Sequence, residues 1–148
     1  MPPDVSTFDA DTFMATEVEG AFETKYTPIP TANYTATIDS VLVRAAGDGV
    51  VLDVTCLIHD EELAAKLGLE RITVRAGIWL DLDPRTGALL FGPNRNIKLG
   101  RLREAVGQNG PKPWSFKMLE GAGPLLIAVV PDKSGDYNDI KSYAKLPT

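Results

Sequence analysis

Residues 71–80 read Arg-Ile-Thr-Val-Arg-Ala-Gly-Ile-Trp-Leu. At the two-residue period of a strand, Ile72, Val74, Ala76, Ile78 and Leu80 share one face. Arg71, Thr73, Arg75, Gly77 and Trp79 share the other. The first face belongs in a core. The second sets two guanidiniums, a small residue and an indole in a row. Guanidiniums neutralise phosphates, an indole stacks on an unpaired base, and glycine leaves room for a backbone to approach. Such a strand is suited to line a single-stranded nucleic-acid groove. The same residues also suit an exposed face that needs only solubility and cross-strand pairs.

Two further groups could join that chemistry. Arg95, Lys98 and Arg101 are three apart along the first half of an expected helix. They form a basic ridge at a helix N-terminus, where a phosphate also meets the helix dipole. The alternative is a solvated face, with Glu104 pairing to Arg101. On the last expected strand, Tyr137, Asp139, Lys141 and Tyr143 alternate opposite Ile140. Two tyrosines and a lysine make a second stacking face, or the amphipathic cover of an edge strand. The candidate nucleic-acid-binding residues are therefore Arg71, Arg75, Trp79, Lys98, Arg101, Tyr137, Lys141 and Tyr143.

Catalytic constellations are poorly supported, and no enzymatic activity is expected. His59 is the sole histidine and Cys56 the sole cysteine. Their three-residue spacing on a strand puts them on opposite faces. His59-Asp-Glu-Glu62 reads better as the cap and acidic first turn of a short helix than as a metal cluster. Asp81-Leu-Asp83 beside a Pro-Arg-Thr-Gly turn lacks the remaining ligands of a calcium loop. Residues 92–100, Gly-Pro-Asn-Arg-Asn-Ile-Lys-Leu-Gly, lack the Gly-Lys-Ser/Thr of a phosphate-binding loop. Neither a metal nor a cofactor is implied.

The elements that must position these groups follow from periodicity and punctuation. Residues 1–32 hold four prolines and the separated aromatics Phe8, Phe13, Phe22 and Tyr26. They read as an extended acidic arm with no helix or central strand. A β pattern starts at Asn33 and breaks phase near Asp39–Ser40, which predicts a bulge and a long, bent first strand. Ala45-Ala-Gly-Asp-Gly49 turns the chain into a second strand, with Leu52, Val54, Cys56 and Ile58 on one face. A short helix over 61–69, a third strand over 71–81 and a turn at 83–87 follow, with residues 88–91 as a short added strand. Asn94 or Asn96 caps a helix whose Leu99, Leu102 and Val106 share a face, and Gly107 ends it. A helical turn at 114–119, an apolar strand at 125–130 and an alternating strand at 137–144 complete the chain. Three strands, a helix and two strands is the order of the OB-fold, a small five-stranded barrel, although other small barrels and sandwiches share it. The expected organisation is mainly β: an arm over 1–32 and an OB-like five-stranded barrel over 33–148, with one helix between strands three and four.

Bulk properties bound the function. A chain of 148 residues suits one domain with its own core. No apolar run approaches the ~20 residues of a membrane span, and Met-Pro-Pro-Asp at the start is not a secretory signal. A soluble protein of a cytoplasm, with no membrane partner, is expected. The net charge of −5 argues against a generic DNA coater. Its distribution matters more, because the field that counts is local. Residues 1–39 contain seven acids and one lysine, whereas residues 71–117 contain nine bases and three acids.

Several short motifs resemble those of phage and prophage OB-fold proteins described as single-stranded-DNA-binding, a family long catalogued as of unknown function. They are Phe22-Glu-Thr-Lys-Tyr-Thr-Pro-Ile-Pro30 leading into Asn33-Tyr34-Thr-Ala-Thr-Ile38, and Leu99-Gly-Arg-Leu-Arg-Glu-Ala-Val-Gly107. Leu119-Glu-Gly121 and Asp136-Tyr-Asn-Asp-Ile-Lys-Ser-Tyr143 follow in the same order. The resemblance covers most of the chain, and its motifs are mostly structural. It implies a non-enzymatic protein of bacteriophage type that protects single-stranded DNA in replication and recombination in the host cytoplasm. Phage replication or recombination proteins would be its partners. The chain departs from the pattern in its few lysines, in the inserted segment 60–69, and in a C-terminus that is not an acidic, partner-recruiting tail. The acidic N-terminal arm could substitute for such a tail.

Two functions remain open at this level. One is single-strand binding, with Arg71, Arg75, Lys98 and Arg101 tracking the backbone and Trp79, Tyr137 or Tyr143 stacking. The other is a virion structural or assembly protein whose arm lies over a neighbouring subunit through Phe8, Phe13, Phe22 and Tyr26. Either way the arm's rings and the sheet edges need covering, and a homo-oligomer is expected.

Overall fold

Five strands build one antiparallel sheet in the computed structural model, which describes residues 8–147. They are β1 (Ala32–Ala46), β2 (Gly49–Ile58), β3 (Ile72–Trp79), β4 (Leu125–Pro131) and β5 (Asn138–Ala144). Three helices accompany them: α1 (Ala10–Met14), α2 (Glu61–Leu67) and α3 (Ile97–Ala105), with a 3-10 turn at Phe116–Leu119. The strand order is β3-β2-β1-β4-β5. Among the described residues no ladder joins β3 to β5, so the sheet is open where a hydrogen-bonded barrel would close. Residues 88–91 contribute only the isolated bridge Leu82–Leu89, not a strand.

The phase break in the first strand is a bulge. Ile38 faces Cys56 and Ser40 faces Thr55, which leaves Asp39 as the extra residue on β1. On its other edge β1 pairs with β4 from Ala32 to Ala36. Beyond that, Ile38 donates to the Ala122 carbonyl at 2.9 Å and accepts from Gly121 at 2.7 Å. Gly123, at φ 125°, makes this close approach possible, since a Cβ there would lie 3.3 Å from the Ala36 carbonyl and from the Thr37 Cα. Ala36 and Ile38 are thereby sealed into the core beside Leu52, Val54, Cys56, Ile78, Leu125, Ile127 and Val129. Leu99, Leu102 and Ala105 of α3 pack on the same core.

Asn96 does more than begin α3. It sits in the left-handed region at φ 48° and makes no side-chain cap bond. Instead its Oδ1 accepts from the Asp81 N–H at 2.7 Å, and its Nδ2 donates to the carbonyls of Asp81 (3.0 Å) and Leu90 (2.9 Å). Its own N–H donates to Asp81 Oδ2 at 2.7 Å. The residue is a clamp that ties the start of α3 to the end of β3. The far end of α3 closes with Gly107 at φ 73°, as Gln108 donates back to Arg103 and Gly107 to Glu104.

A second bulge was not legible in the sequence. Ala128 faces Ser142 but Val129 faces Ile140, so Lys141 is the extra residue on β5. It reverses the phase of the strand. Ile140 and Tyr143, three apart, both point inward and are buried.

The described part of the arm departs from the expectation of no helix. Asp9 accepts from the N–H groups of Asp11 and Thr12 and from the Thr12 hydroxyl, and this cap starts the single turn α1. The Thr12 hydroxyl, ahead of the Thr12 N–H, holds the Asp9 carboxyl below its usual range. Residues 1–7 of the expected arm lie outside the described residues. The end of the arm is docked: the Ile29 N–H donates to Asn138 Oδ1 at 2.9 Å, and Asn138 Nδ2 donates back to the Ile29 carbonyl at 3.3 Å. Nearby, the Tyr34 hydroxyl donates to the Pro30 carbonyl at 2.6 Å.

The Asn96 clamp generates a test. Asn96→Ala removes three side-chain hydrogen bonds, each worth about 1 kcal/mol, and forces alanine into a left-handed backbone. Urea denaturation should show a loss of about 2–4 kcal/mol. A loss below about 0.5 kcal/mol would mean that the clamp does not hold the helix in place.

Candidate nucleic-acid interface

The outer face of β3 is arranged as its alternation requires. Arg71, Thr73, Arg75, Gly77 and Trp79 are exposed, and Ile72, Val74, Ala76 and Ile78 are buried. Thr73 faces Leu57, Arg75 faces Thr55, Gly77 faces Asp53 and Trp79 faces Val51 on β2. Trp79 is 64% exposed. Its ring lies on Gly49, where a Cβ would come within 2.9 Å of the indole. Gly77 has a local duty: a Cβ there would meet Val51 at 3.0 Å and Asp53 at 3.4 Å. The space expected for a ligand backbone at Gly77 is thus partly taken by these two side chains.

Electrostatics divide the face. The bulge residue Asp39 holds Arg71 at 2.9 Å. Arg44, on β1, is paired with the buried Asp53 and donates to both of its carboxylate oxygens. The hydrogen bond it donates to Asp53, then the charge of that carboxylate, raises the Arg44 pKa above its ordinary value. Arg75 has no carboxylate within 4.0 Å among the described residues. The strand face therefore offers one unpaired guanidinium and one exposed indole. Arg71 is already neutralised, by a partner that exists only because of the bulge.

The other cations gather elsewhere. Lys98 and Arg101 on α3 and Lys141 on β5 line one cavity of about 250 Å³, together with Ile97, Ser142 and Tyr143. None of the three is in an ion pair among the described residues, and the Arg101–Glu104 pair considered from the sequence is not formed. The bulge at Lys141 helps to build this cluster, because it aims Lys141 outward between two inward residues.

Tyr143 corrects the expectation that it shares an outward face with Tyr137. The bulge turns it into the core, where it is 5% exposed and unavailable for stacking. Its hydroxyl has no hydrogen-bond partner among the described residues. Burial, then the nearby Cys56 and Asp139, pushes its ionisation upward. Tyr137 is exposed and leans on Tyr26, with ring centroids 5.1 Å apart. These two rings, Arg71 and Arg75 line a groove of about 630 Å³ between the start of β3 and the start of β5. Asp132 and Asp136 line it too. The sequence placed Tyr26 among arm anchors; only the docking of Ile29 on Asn138 brings it to this groove.

The residues weighed for catalysis take structural places. Asp60 caps α2 by accepting from the Leu63 N–H at 3.0 Å. Asp83 Oδ1 accepts from the Arg85 N–H at 2.8 Å within its turn. His59 is exposed, with Nε2 3.1 Å from the Thr37 hydroxyl. Cys56 is buried, and burial pushes its thiol up to about 12. No family model, curated protein or solved structure matches the chain.

The buried Cys56 thiol makes stability depend on alkaline pH. Its ionisation rises from an ordinary 9.0 to about 12 on folding. Its contribution is complete below about 9. It is lost as pH rises toward 12, because the unfolded thiol gives up its proton first. The slope is at most about 1.4 kcal/mol per pH unit for this group. Tyr34 and Tyr143 act in the same direction. Urea midpoints measured from about pH 8 to 11 should fall, and Cys56→Ala should flatten the fall. Equal slopes in both proteins would show that Cys56 ionises as readily folded as unfolded.

Proposed function

We propose that the chain is a non-enzymatic single-stranded-DNA-binding protein. The observation that carries this reading is the exposed Trp79 on the outer face of β3, seated on Gly49 and four residues along the same face from the unpaired Arg75. Its exposed ring offers a base a stacking surface. The strand order supports the reading. β3-β2-β1-β4-β5 with α3 between β3 and β4 is the order of an OB barrel opened between its third and fifth strands. In that fold the face of strands two and three binds oligonucleotides.

The mechanism is sequence-tolerant. Bases stack on Trp79, and on Tyr137 where the strand reaches the groove below. Phosphates meet Arg75 and the Lys98–Arg101–Lys141 cluster. Arg71 contributes only by exchanging Asp39 for a phosphate. Each stacked base is worth about 1–3 kcal/mol, and each phosphate neutralised adds about 0.7 to the salt slope. The phage type suggested by the motif resemblance, with its roles in replication and recombination, is part of this proposal.

A second reading, assembly through the arm, is favoured by the exposure of Phe8 (58%), Phe13 (64%) and Phe22 (79%). Phe8 and Phe13 touch each other at 5.3 Å between centroids, yet both stay open to solvent.

Fluorescence titration with oligo-dT separates the two readings. Arg75→Ala with Trp79→Ala should lower affinity by about tenfold or more, with little change in thermal stability. Unchanged affinity would remove these residues from the site. Removing residues 1–25 spares the docked Tyr26 and Ile29. If the arm assembles subunits, light scattering should then give a lower mass with the same melting temperature. An unchanged mass would end the assembly reading.

A further inference from the structure

A larger cavity, of about 720 Å³, runs along α3 between the 89–92 segment and the 109–114 loop. Its size is that of a ligand site. Arg95, Arg101 and Lys112 line it, and none is in an ion pair among the described residues. Glu104 is the only acid among the described lining residues. Phe91, on its wall, is 84% exposed, the most exposed large hydrophobic residue described. Arg103, half-buried in the lining, is stacked 4.3 Å over Trp114 and donates to the Gln108 carbonyl at 2.8 Å.

Gly100 lies in this lining, inside α3. Glycine in a helix interior is destabilising relative to alanine, and is normally kept for a positive φ or a close packing contact. Neither applies: the φ of Gly100 is not positive, and a Cβ there would meet no atom within 4 Å. The fold does not need a glycine at this position. Without a Cβ, the helix surface here is open to close approach.

We infer that this groove is a second contact site for single-stranded nucleic acid, with Phe91 as its stacking platform and Arg95 and Lys112 as its phosphate contacts. The inference rests on the single-strand reading proposed above and extends it. Arg101 lines both this groove and the cavity it shares with Lys98 and Lys141, so the two cationic sites adjoin. Positive charge without carboxylate partners, an exposed ring and an open helix surface match a phosphate backbone with unpaired bases. They match no apolar helix, which would leave the cations unpaired. A strand held first at Trp79 and Arg75 gains this second contact only when it is long enough to reach α3.

The test compares oligo-dT of about six and about twenty-four nucleotides on the full chain at several salt concentrations. The triple variant Phe91→Ala, Arg95→Ala, Lys112→Ala changes exposed side chains only. It should weaken long-oligomer binding by about tenfold or more, leave short-oligomer binding unchanged, and flatten the salt slope by about 1.4. Gly100→Gln fills the groove with a good helix former. It should keep or raise the melting temperature while weakening only the long oligomer. Wild-type binding at both lengths with no length-selective loss in either variant overturns the second site and leaves the first intact. No binding by the wild type at either length overturns the single-strand reading itself, and this inference with it.

Discussion

The inserted residue at Asp39 is the constraint on which the sheet depends. β1 carries hydrogen bonds on both edges, to β2 on one side and to β4 and the 121–122 turn on the other. Its two halves need opposite phases to keep Ala36, Ile38 and Val41 inward. One extra residue supplies the change without breaking the ladder to β2. Removing the bulge, by pairing Asp39 in the ladder, would turn Val41 and Val43 to the other face of the sheet, opposite Asp53 and Val51 rather than Val54 and Leu52. The same insertion places the Asp39 carboxylate within reach of Arg71. A device of backbone geometry thus also sets the charge of the exposed face.

Legibility in the sequence followed the number of independent signals at each place. The Asp39 bulge was legible because residues before and after it keep clean alternation with opposite phase. The burial pattern of β3 was legible because eight residues alternate without interruption. The Lys141 bulge was not, because β5 has seven residues and Tyr143 fits either phase. An exposed Tyr143 and a buried one leave the same pattern. Only pairing with Ile127 and Val129 decides which face it takes. Asn96 shows a different limit. Its preference for a helix start was correctly read, but the partner of its side chain is Asp81, fifteen residues earlier. A local rule cannot name a distant partner.

Ion pairing was equally hidden. Arg44, Arg71, Arg75, Lys98 and Arg101 look alike as charges along the chain. In the fold, the first two are held by Asp53 and Asp39, and the other three are in no ion pair among the described residues. Exposed pairs such as Arg71–Asp39 stabilise a fold by about 0–1 kcal/mol. Their larger effect is on the field, since a paired guanidinium attracts a phosphate only after giving up its carboxylate. The unpaired cations lie mainly around α3 and β5, away from the strand first singled out. The face with the exposed indole is nearly neutral, and the face with the charge has its own exposed ring in Phe91.

That separation bears on how an acidic chain could hold an anion. A net charge of −5 opposes long-range capture of a polyanion, but at physiological ionic strength the field is screened within about 8 Å. What a strand meets on close approach is therefore local. Around α3 it meets cations with few acids among them. On β3 it meets one free guanidinium, an indole and hydroxyls from Thr55 and Thr73. In the proposed reading, phosphate attraction is supplied around the helix and base stacking on the sheet, with Arg75 the single residue that offers charge beside the indole. The acids of the arm and of the 60–62 turn would then limit binding by strands that fail to engage both. Such a molecule trades raw affinity for a requirement that charge and stacking be satisfied together.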